Sequence, residues 1–597
     1  MNLTLKKSVA RHVLPHVQGP AQYLGGELNS VRKDHSTVRG SICLAFPDAY
    51  TLGMSHHGFQ VLYSLMNDLG WACERVFTPV PDFEKAMRAA NLPLYGLETF
   101  TPLNQFDIIG FSLQYEVSYT NILTMLDLGG IALHSDDRGP DDTLVIAGGP
   151  GAQNPELIAP FVDLFIVGDG EPSLPVVAEM WASMKGDPTL SRDEKLARIA
   201  SANEWAYVPR FYTPIYGEDG TIIEIRRLRD DVPEAIKACV VDDLDAIPLP
   251  IRPIVPNIGT AHDRIAIEIM RGCPWQCRFC QSTVIKRPLR VRSVQTIVSA
   301  AMESYLNTGY DEISLLSLST SDYPYFEELV QKMSEVFTPL GVKISLPSLR
   351  ITETLKKIPA LLQEGRRGGL TLAPEVARDD MREQIRKPID NKDLYEGAEE
   401  AFRRGWKRVK LYFLCGLPGE RTADLDGIVE MAETIAKIGK KVTGRYADVT
   451  ASVSNFVPKP HTPYQWNEMQ SREYFRWAHR YIRDQVQIKS VSIKCHDIER
   501  SLLEGVLTRG DRRVSEAVLE AWKRGARLDA WSEYFEPKLW WKVFEDLGLD
   551  IEFYSHRARS IEEVLPWDHI LVKKGRAYLA KEQGRSLLQL DSMADSI

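Results

Sequence analysis

No run of about 18 uncharged apolar residues, the length a membrane helix needs, occurs anywhere in the chain. The first twenty residues, MNLTLKKSVARHVLPHVQGP, carry basic side chains but no continuous apolar core, so no secretory signal is expected there. Cysteine is scarce: eight in 597 residues, too few for a disulfide scaffold. Positive charge does not dominate either. Lys plus Arg number 72 against 81 Asp plus Glu, and the formal net charge of −9 argues against a chain built to coat nucleic acid. No internal repeat or low-complexity tract stands out. With 44% hydrophobic and 26% charged residues, the composition is that of a globular protein with length for about three or four domains. It is expected to be soluble and cytoplasmic, with no membrane partner.

Between Ser41 and Met184, short β-branched runs alternate with helical patterns. SICLAFP, DIIGFSL, TLVIAGGP and LFIVGDG read as buried strands, while HHGFQVLYSLMNDL and VSYTNILTMLDLG read as helices. That alternation predicts a parallel, doubly wound sheet, whose ligands lie beyond the carboxyl ends of the strands. Gly148, Gly149, Gly151, Gly168 and Gly170 fall at those ends, either to let a ligand approach the backbone or simply to turn the chain. The proline-rich DAIPLPIRPIVPN then reads as a semi-rigid linker.

A second series follows, with strands RIAIEIMRG, EISLLSLS, VKISLPSL, GLTLAPE, RVKLYFLCGLPG and ADVTASVSNFVP. The helices between them include VQTIVSAAMESYLNTG, YPYFEELVQKMSEVF, ETLKKIPALLQEG and LDGIVEMAETIAKIG. Six β/α units predict a partial (β/α)6 barrel of the TIM type, with its chemistry at the carboxyl strand ends. Beyond about residue 470 the pattern turns mainly helical. The expected layout is an extension over 1–40, a Rossmann-like domain over 41–200, a connecting segment over 201–260, the barrel over 261–470 and a helical region over 471–597.

Three of the eight cysteines, Cys273, Cys277 and Cys280, fall in the eight-residue run CPWQCRFC, where the first barrel strand ends. A structural zinc site wants four protein ligands, and no nearby His or Cys supplies a fourth. Thiolates this dense suit an iron–sulfur cluster, and three of them leave one iron of a cubane open. The other five cysteines sit mostly beside apolar neighbours and read as buried thiols.

The spacing C-x3-C-x2-C, with Phe279 before the last cysteine, resembles the radical S-adenosylmethionine signature. The resemblance implies a 4Fe–4S cluster on Cys273, Cys277 and Cys280, S-adenosylmethionine on the open iron, and its reductive cleavage to a 5′-deoxyadenosyl radical. An electron donor such as flavodoxin or ferredoxin is implied with it. Phe279 would lie beside the adenine. LSLSTSD after the second strand makes Ser319 and Ser321 candidates to meet the methionine amino group, although the usual Gly-Gly-Glu is missing. TLAPE places Glu375 at the ribose, with Arg378 close behind, and GLPGE resembles the segment flanking adenine and ribose, with Gly416 and Pro418. Lys459 and His461 in NFVPKPHTPYQW read either as catalytic residues or as a solvent-exposed loop pair.

The preceding sheet is similar to the cobalamin-binding domain of the class B methylases, through FPDAYTLGMSHHG, GFSLQYEVSYTN, IAGGPGAQNPE and FIVGDGEP. By that likeness Leu113, Gln114 and Glu116 approach the corrin, and Gly148, Gly149, Gly151, Gly168 and Asp169 line the pocket for its nucleotide tail. Asp-x-His-x-x-Gly is lacking, so neither His56 nor His57 is taken as a cobalt ligand. With PAQYLGGELNSV and LPWDHI, the whole resembles a fused cobalamin-binding radical S-adenosylmethionine family. The implied activity is methylation of an unactivated carbon. The alternatives are a non-methylating rearrangement, oxidation or sulfur insertion, or an iron–sulfur redox sensor. The substrate, whether small molecule, RNA or protein, is not legible. Trp522, Trp531, Trp540 and Trp541 read as a packed core or as a surface that docks RNA or protein.

Overall fold

The computed structural model describes residues 1–346 and 369–594. The helix expected over ETLKKIPALLQEG and the end of VKISLPSL lie outside them. Among the described residues no helix is long and apolar enough to cross a membrane.

The first sheet has six strands: β1 (Ser41–Phe46), β2 (Ala72–Phe77), β3 (Ile108–Ser112), β4 (Leu144–Gly148), β5 (Leu164–Ile166) and β6 (Ala206–Tyr207). Their order is β2-β1-β3-β4-β5-β6. All pair in parallel except β6, which runs antiparallel to β5. Helices His57–Asp68 and Tyr119–Leu128 lie where the apolar periodicity puts them. The strand ACERVF of β2 is buried throughout although it carries two charges. Arg75 there is paired with Glu98 (2.6 Å) and Glu27 (2.9 Å), and Glu74 accepts from Thr99 N (3.1 Å). Two glycines answer the question the sequence left open. At φ +107°, Gly168 would bring a Cβ to 2.2 Å from the carbonyl of Cys239, and Gly149 at +103° to 2.8 Å from that of Leu113. Both are required by backbone packing.

A hairpin of β7 (Tyr212–Tyr216) and β8 (Ile222–Arg227), then the short β9 (Ile236–Lys237), lead into the proline-rich segment. That segment lies against the rest of the chain: Arg292 donates to the carbonyl of Ile247 (2.8 Å), and Leu249 and Ile254 are buried.

The second series opens with β10 (Ile265–Glu268), β11 (Met270–Arg271), β12 (Arg290–Val291), β13 (Glu312–Leu316) and β14 (Lys343–Ser345). It continues with β15 (Leu370–Glu375), β16 (Arg408–Cys415), β17 (Asp448–Asn455) and β18 (Val491–Cys495). Parallel strands form two sheets, β10-β13-β14 and β15-β16-β17-β18. The expectation of six β/α units therefore needs correcting: β18 is a seventh parallel strand, inside the stretch taken as helical. Its sequence VSIKC buries only its first residue fully, as suits a sheet edge with polar alternate positions.

The C-terminal helices Ile498–Arg509, Val514–Lys523 and Pro537–Asp546 share one apolar core with the first sheet. Trp540 is buried and donates to Asp529 (3.0 Å), while Trp531 donates to Asp48 (2.7 Å) and Trp522 to Thr124 (3.1 Å). Trp531 and Trp522 fasten the C-terminal region onto the first domain. A last strand, β19 (Ile570–Leu571), pairs with β9, and the helix Gly575–Ala594 closes the chain.

Candidate functional site

The cysteine loop starts where β10 ends. Its base is closed by the antiparallel pair β11–β12, which sets Met270 opposite Val291 and Arg271 opposite Arg290. Gly272 turns the chain at φ +93°, where a Cβ would meet the Lys286 carbonyl at 2.7 Å. Inside the loop, Cys280 N donates to the carbonyl of Cys277 (3.1 Å), and Arg278 N to that of Ile385 (3.0 Å). Thr283 Oγ1 donates to the Trp275 carbonyl. Burial pushes the Cys280 thiol up, and Cys273 and Glu375 beside it push the same way. A thiolate there wants a cation, and Lys387, which acts on it, already pairs with Glu375 (2.7 Å). Among the described residues no three His, Cys, Asp or Glu side chains converge to hold a metal ion. The three cysteines share one short loop. This donor set fits a polynuclear cluster, in which each thiolate takes its own iron.

The other residues expected around the cysteines fall on neighbouring strand ends. Phe279 packs on the apolar cluster of Val376, Met381, Ile385, Leu417, Phe456 and Tyr464. Glu375 closes β15 across a register shift, with φ +66°, a strained conformation for a residue with a side chain. Ser319 is buried and donates to Asp322, whose carboxylate also accepts from Trp275 Nε1 (2.6 Å); this links the second strand's loop to the cysteine loop. Ser321 lies in the same single turn, Thr320–Asp322. Arg378 is half exposed and faces Asp380 at 3.5 Å. Gly416, at φ +88°, opens the turn containing half-buried Pro418, and the turn is tied by Glu420, which accepts from Gly416 N (2.8 Å) and from Tyr474. Burial pushes the Glu420 carboxyl up to about 7.

Lys459 and His461 are not the exposed pair that their sequence allows. Lys459 pairs with Glu504 (2.7 Å) and Glu116 (3.6 Å). His461 is buried, its Nε2 at 2.9 Å from the Gln153 carbonyl, and burial pushes its ring down to about 4. Both fasten the loop after β17 to the first domain and the C-terminal helices.

A cavity of about 590 Å³ lies between the carboxyl ends of the first sheet and the start of the cysteine loop. Gly148, Gly149, Gly168 and Asp169 line one side; Arg271, Gly272, Lys286 and Leu316–Leu318 line the other. It adjoins a second cavity of about 790 Å³ through shared walls at His56, His57, Ser112 and Gln114. Of the three residues expected near a corrin, Gln114 faces both cavities. Leu113 is fully buried in the core and lines neither, and Glu116 is engaged by Lys459. Gly151 lies outside both as well, where a Cβ would strike the Tyr119 hydroxyl. Sequence reasoning missed Arg271 and Lys286, whose only signal is their nearness to Cys273 and Cys280. Arg271 contacts Asp169 (3.1 Å), Glu171 and Glu268 (2.8 Å), joining the two units.

This architecture defines an α/β protein that presents a three-thiol loop at the carboxyl end of a parallel strand, facing a second α/β unit across a cavity. Residues 58–209 match the family model for radical SAM proteins, N-terminal, and residues 267–432 match that of the radical SAM superfamily. Over these residues the chain carries radical SAM domains. It is 27% identical over 468 residues to an uncharacterised protein of Methanocaldococcus jannaschii, covering 76% of this chain and 91% of that one. It is also 23% identical over 194 residues to a ribosomal protein uS12 methylthiotransferase of Gloeothece citriformis, covering 30% of this chain and 42% of the relative. Among solved structures it is similar, at TM-score 0.47 and 13% identity, to the radical S-adenosylmethionine methyltransferase TsrM of Kitasatospora setae with cobalamin and a 4Fe–4S cluster bound. That likeness covers 71% of this chain and 76% of the other. A cobalamin-dependent S-adenosylmethionine radical enzyme, OxsB, gives TM-score 0.45 at 12% identity, over 93% of this chain and 80% of the other.

Proposed function

We propose that the protein is a radical S-adenosylmethionine enzyme that carries a 4Fe–4S cluster on Cys273, Cys277 and Cys280, binds cobalamin in the cavity between its two α/β units, and methylates an unactivated carbon. The observation that carries this reading is the shared wall: Gly272, which leads into Cys273, lines the same cavity as the glycine-rich ends of the first sheet. When bound, the cluster with S-adenosylmethionine supplies a carbon-centred radical, and cobalamin a transferable methyl group. The chain's own residues bind, orient and exclude water. By the resemblance, Phe279 would flank the adenine, Glu375 would accept from the ribose hydroxyls, the turn at Gly416 and Pro418 would hold the nucleoside, and Ser319 and Ser321 would meet the amino acid end. Arg378, half exposed at the edge, closes that side. The mostly apolar cavity wall, with Leu44, Phe111, Ile146 and Leu316, suits a large cofactor shielded from solvent. The electron donor is a flavodoxin- or ferredoxin-type protein, and the working units are those expected over 41–200 and 261–470. Sulfur insertion is disfavoured because Cys43, Cys73, Cys239, Cys415 and Cys495 are scattered and form no second cluster motif.

Anaerobic reconstitution with iron, sulfide and hydroxocobalamin, followed by reduction with S-adenosylmethionine, tests this. The expected result is one cobalamin retained per chain, together with 5′-deoxyadenosine and methionine. Cleavage by a protein that keeps no cobalamin removes the methylation reading. No cleavage with a reduced cluster removes the enzyme reading in favour of a sensor.

The helix Gly575–Ala594 acts in this account as a strap on the cysteine loop. Its buried Glu582 pairs with Arg386 (2.7 Å) and Arg585 (2.6 Å) and lies 3.6 Å from Arg278 of the loop; Gln589 accepts from Arg278, and Tyr578 donates to Gln276. Glu582→Gln leaves Arg278 and Arg386 without their carboxylate. The cluster absorbance of this variant is expected to decay in air several-fold faster than that of the wild type, and an unchanged rate contradicts the strap.

A further inference from the structure

The wall shared by the cavity and the cysteine loop is densely charged. Three carboxylates, Asp169, Glu171 and Glu268, face Arg271, Arg290, Arg292 and Lys286 across it. Every carboxylate is already engaged. Arg271 takes Glu268 (2.8 Å) and Glu171, while Asp169 accepts from Arg271 (3.1 Å), Arg290 and Val241 N (3.0 Å). Lys286 is left over: it is enclosed, and no acceptor lies within bonding distance of its ammonium among the described residues. Burial pushes its pKa down, and nothing bonded to it offsets that.

Lys286 lines the large cavity and also a small recess behind it, where it meets Gly149, Pro150, Gly168 and Asp169. The helix Gly170–Met184 begins at this recess, and its N-cap Asp169 makes no side-chain bond to the first-turn amides. An uncapped helix start and an unpaired ammonium on the facing unit together make a receptor for a small anion. The first unit supplies the helix start; the segment after the cysteines supplies the ammonium.

We infer that Lys286, with the start of the helix Gly170–Met184, binds the phosphodiester of the cofactor's nucleotide tail, so that cofactor binding closes the joint between the first domain and the cysteine loop. This rests on the cobalamin reading above and adds to it a specific residue from the cluster-bearing unit. The anion would meet an ammonium that has no bonded acceptor among the described residues, beside the glycine-rich strand ends.

The test is equilibrium binding to the full-length reconstituted protein, with hydroxocobalamin and with cobinamide, the corrin that lacks the phosphate and nucleotide. Lys286→Met is expected to weaken cobalamin binding roughly 10- to 100-fold, the usual range for a lost charge-assisted hydrogen bond. Cobinamide binding should stay within about twofold, because it makes no phosphate contact. Lys286→Arg should restore most of the cobalamin affinity. Cobalamin binding by Lys286→Met at wild-type strength overturns the inference, and so does equal weakening for both corrinoids. A wild-type protein that binds neither corrinoid overturns the cobalamin reading itself, and the inference with it.

Discussion

Replacing any one of Cys273, Cys277 and Cys280 by Ala is expected to abolish cleavage of S-adenosylmethionine and to reduce bound iron and sulfide to the level of an unreconstituted control. The cause is ligand count. The loop offers three thiols and no fourth protein ligand beside them, so each loss leaves a second iron without a protein donor. Far-UV circular dichroism should not change, because the loop's base is held by the β11–β12 pair and by Arg278, not by the cysteines. The matched control is Cys415→Ala. Cys415 is buried in β16 at 3.6 Å from Glu420, with its thiol pushed up by burial, and its loss should leave iron content unchanged. Retention of full cleavage by any of the three loop variants contradicts the assignment.

The second large effect is on stability. Arg271→Met should destabilise the protein by about 3–5 kcal/mol, the usual cost of removing one partner from a buried charge network. Among the described residues, Glu171 and Glu268 would lose the only guanidinium to which either is paired, and Asp169 would keep that of Arg290. Acid should weaken the same joint. Burial opposes ionisation of Asp169 and Glu268, but the nearby arginines outweigh it and hold both below the ordinary carboxylate range. A carboxylate depressed in the folded state contributes stability above its unfolded pKa of about 4 and loses it as pH falls through the folded value. Denaturant titrations of the wild type should therefore show a loss of stability below about pH 4, and Arg271→Met a shallower one. An Arg271→Met protein as stable as the wild type at pH 7 contradicts the role given to this joint.

Much of the architecture was legible because it rests on local pattern. Buried parallel strands such as SICLAF and LVIAG are continuous apolar runs, and the cysteine spacing falls where a strand ends. What escaped depends on partners distant in sequence. The strand β2 hides behind Glu74 and Arg75, which His35, Glu27, Glu98 and Thr99 make buriable. In β18, polar residues alternate at an exposed edge and carry no strong strand signal. Lys459 and His461 look like solvent-facing loop residues until Glu504, Glu116 and Gln153 are brought against them. The same holds for Trp531 and Trp540, whose indoles pair with carboxylates on the first domain and on their own loop. In the site, the grouping of Cys273, Cys277 and Cys280 in one loop was readable from spacing, and Phe279 entered only through the resemblance. Lys286 and Arg271 were not readable, because their meaning comes from Asp169 and Glu171, about a hundred residues earlier.

The central claim, that one cavity brings cobalamin beside a radical-generating cysteine loop, is tested most directly by following the methyl group of isotopically labelled S-adenosylmethionine. The reconstituted, cobalamin-loaded protein is incubated anaerobically with a reductant, and the label and the adenosyl products are quantified together. The account expects S-adenosylhomocysteine and protein-retained label that depend on cobalamin, with 5′-deoxyadenosine that depends on Cys273, Cys277 and Cys280. Deoxyadenosine formation at the same rate with and without cobalamin, with the label remaining wholly in methionine, would contradict it.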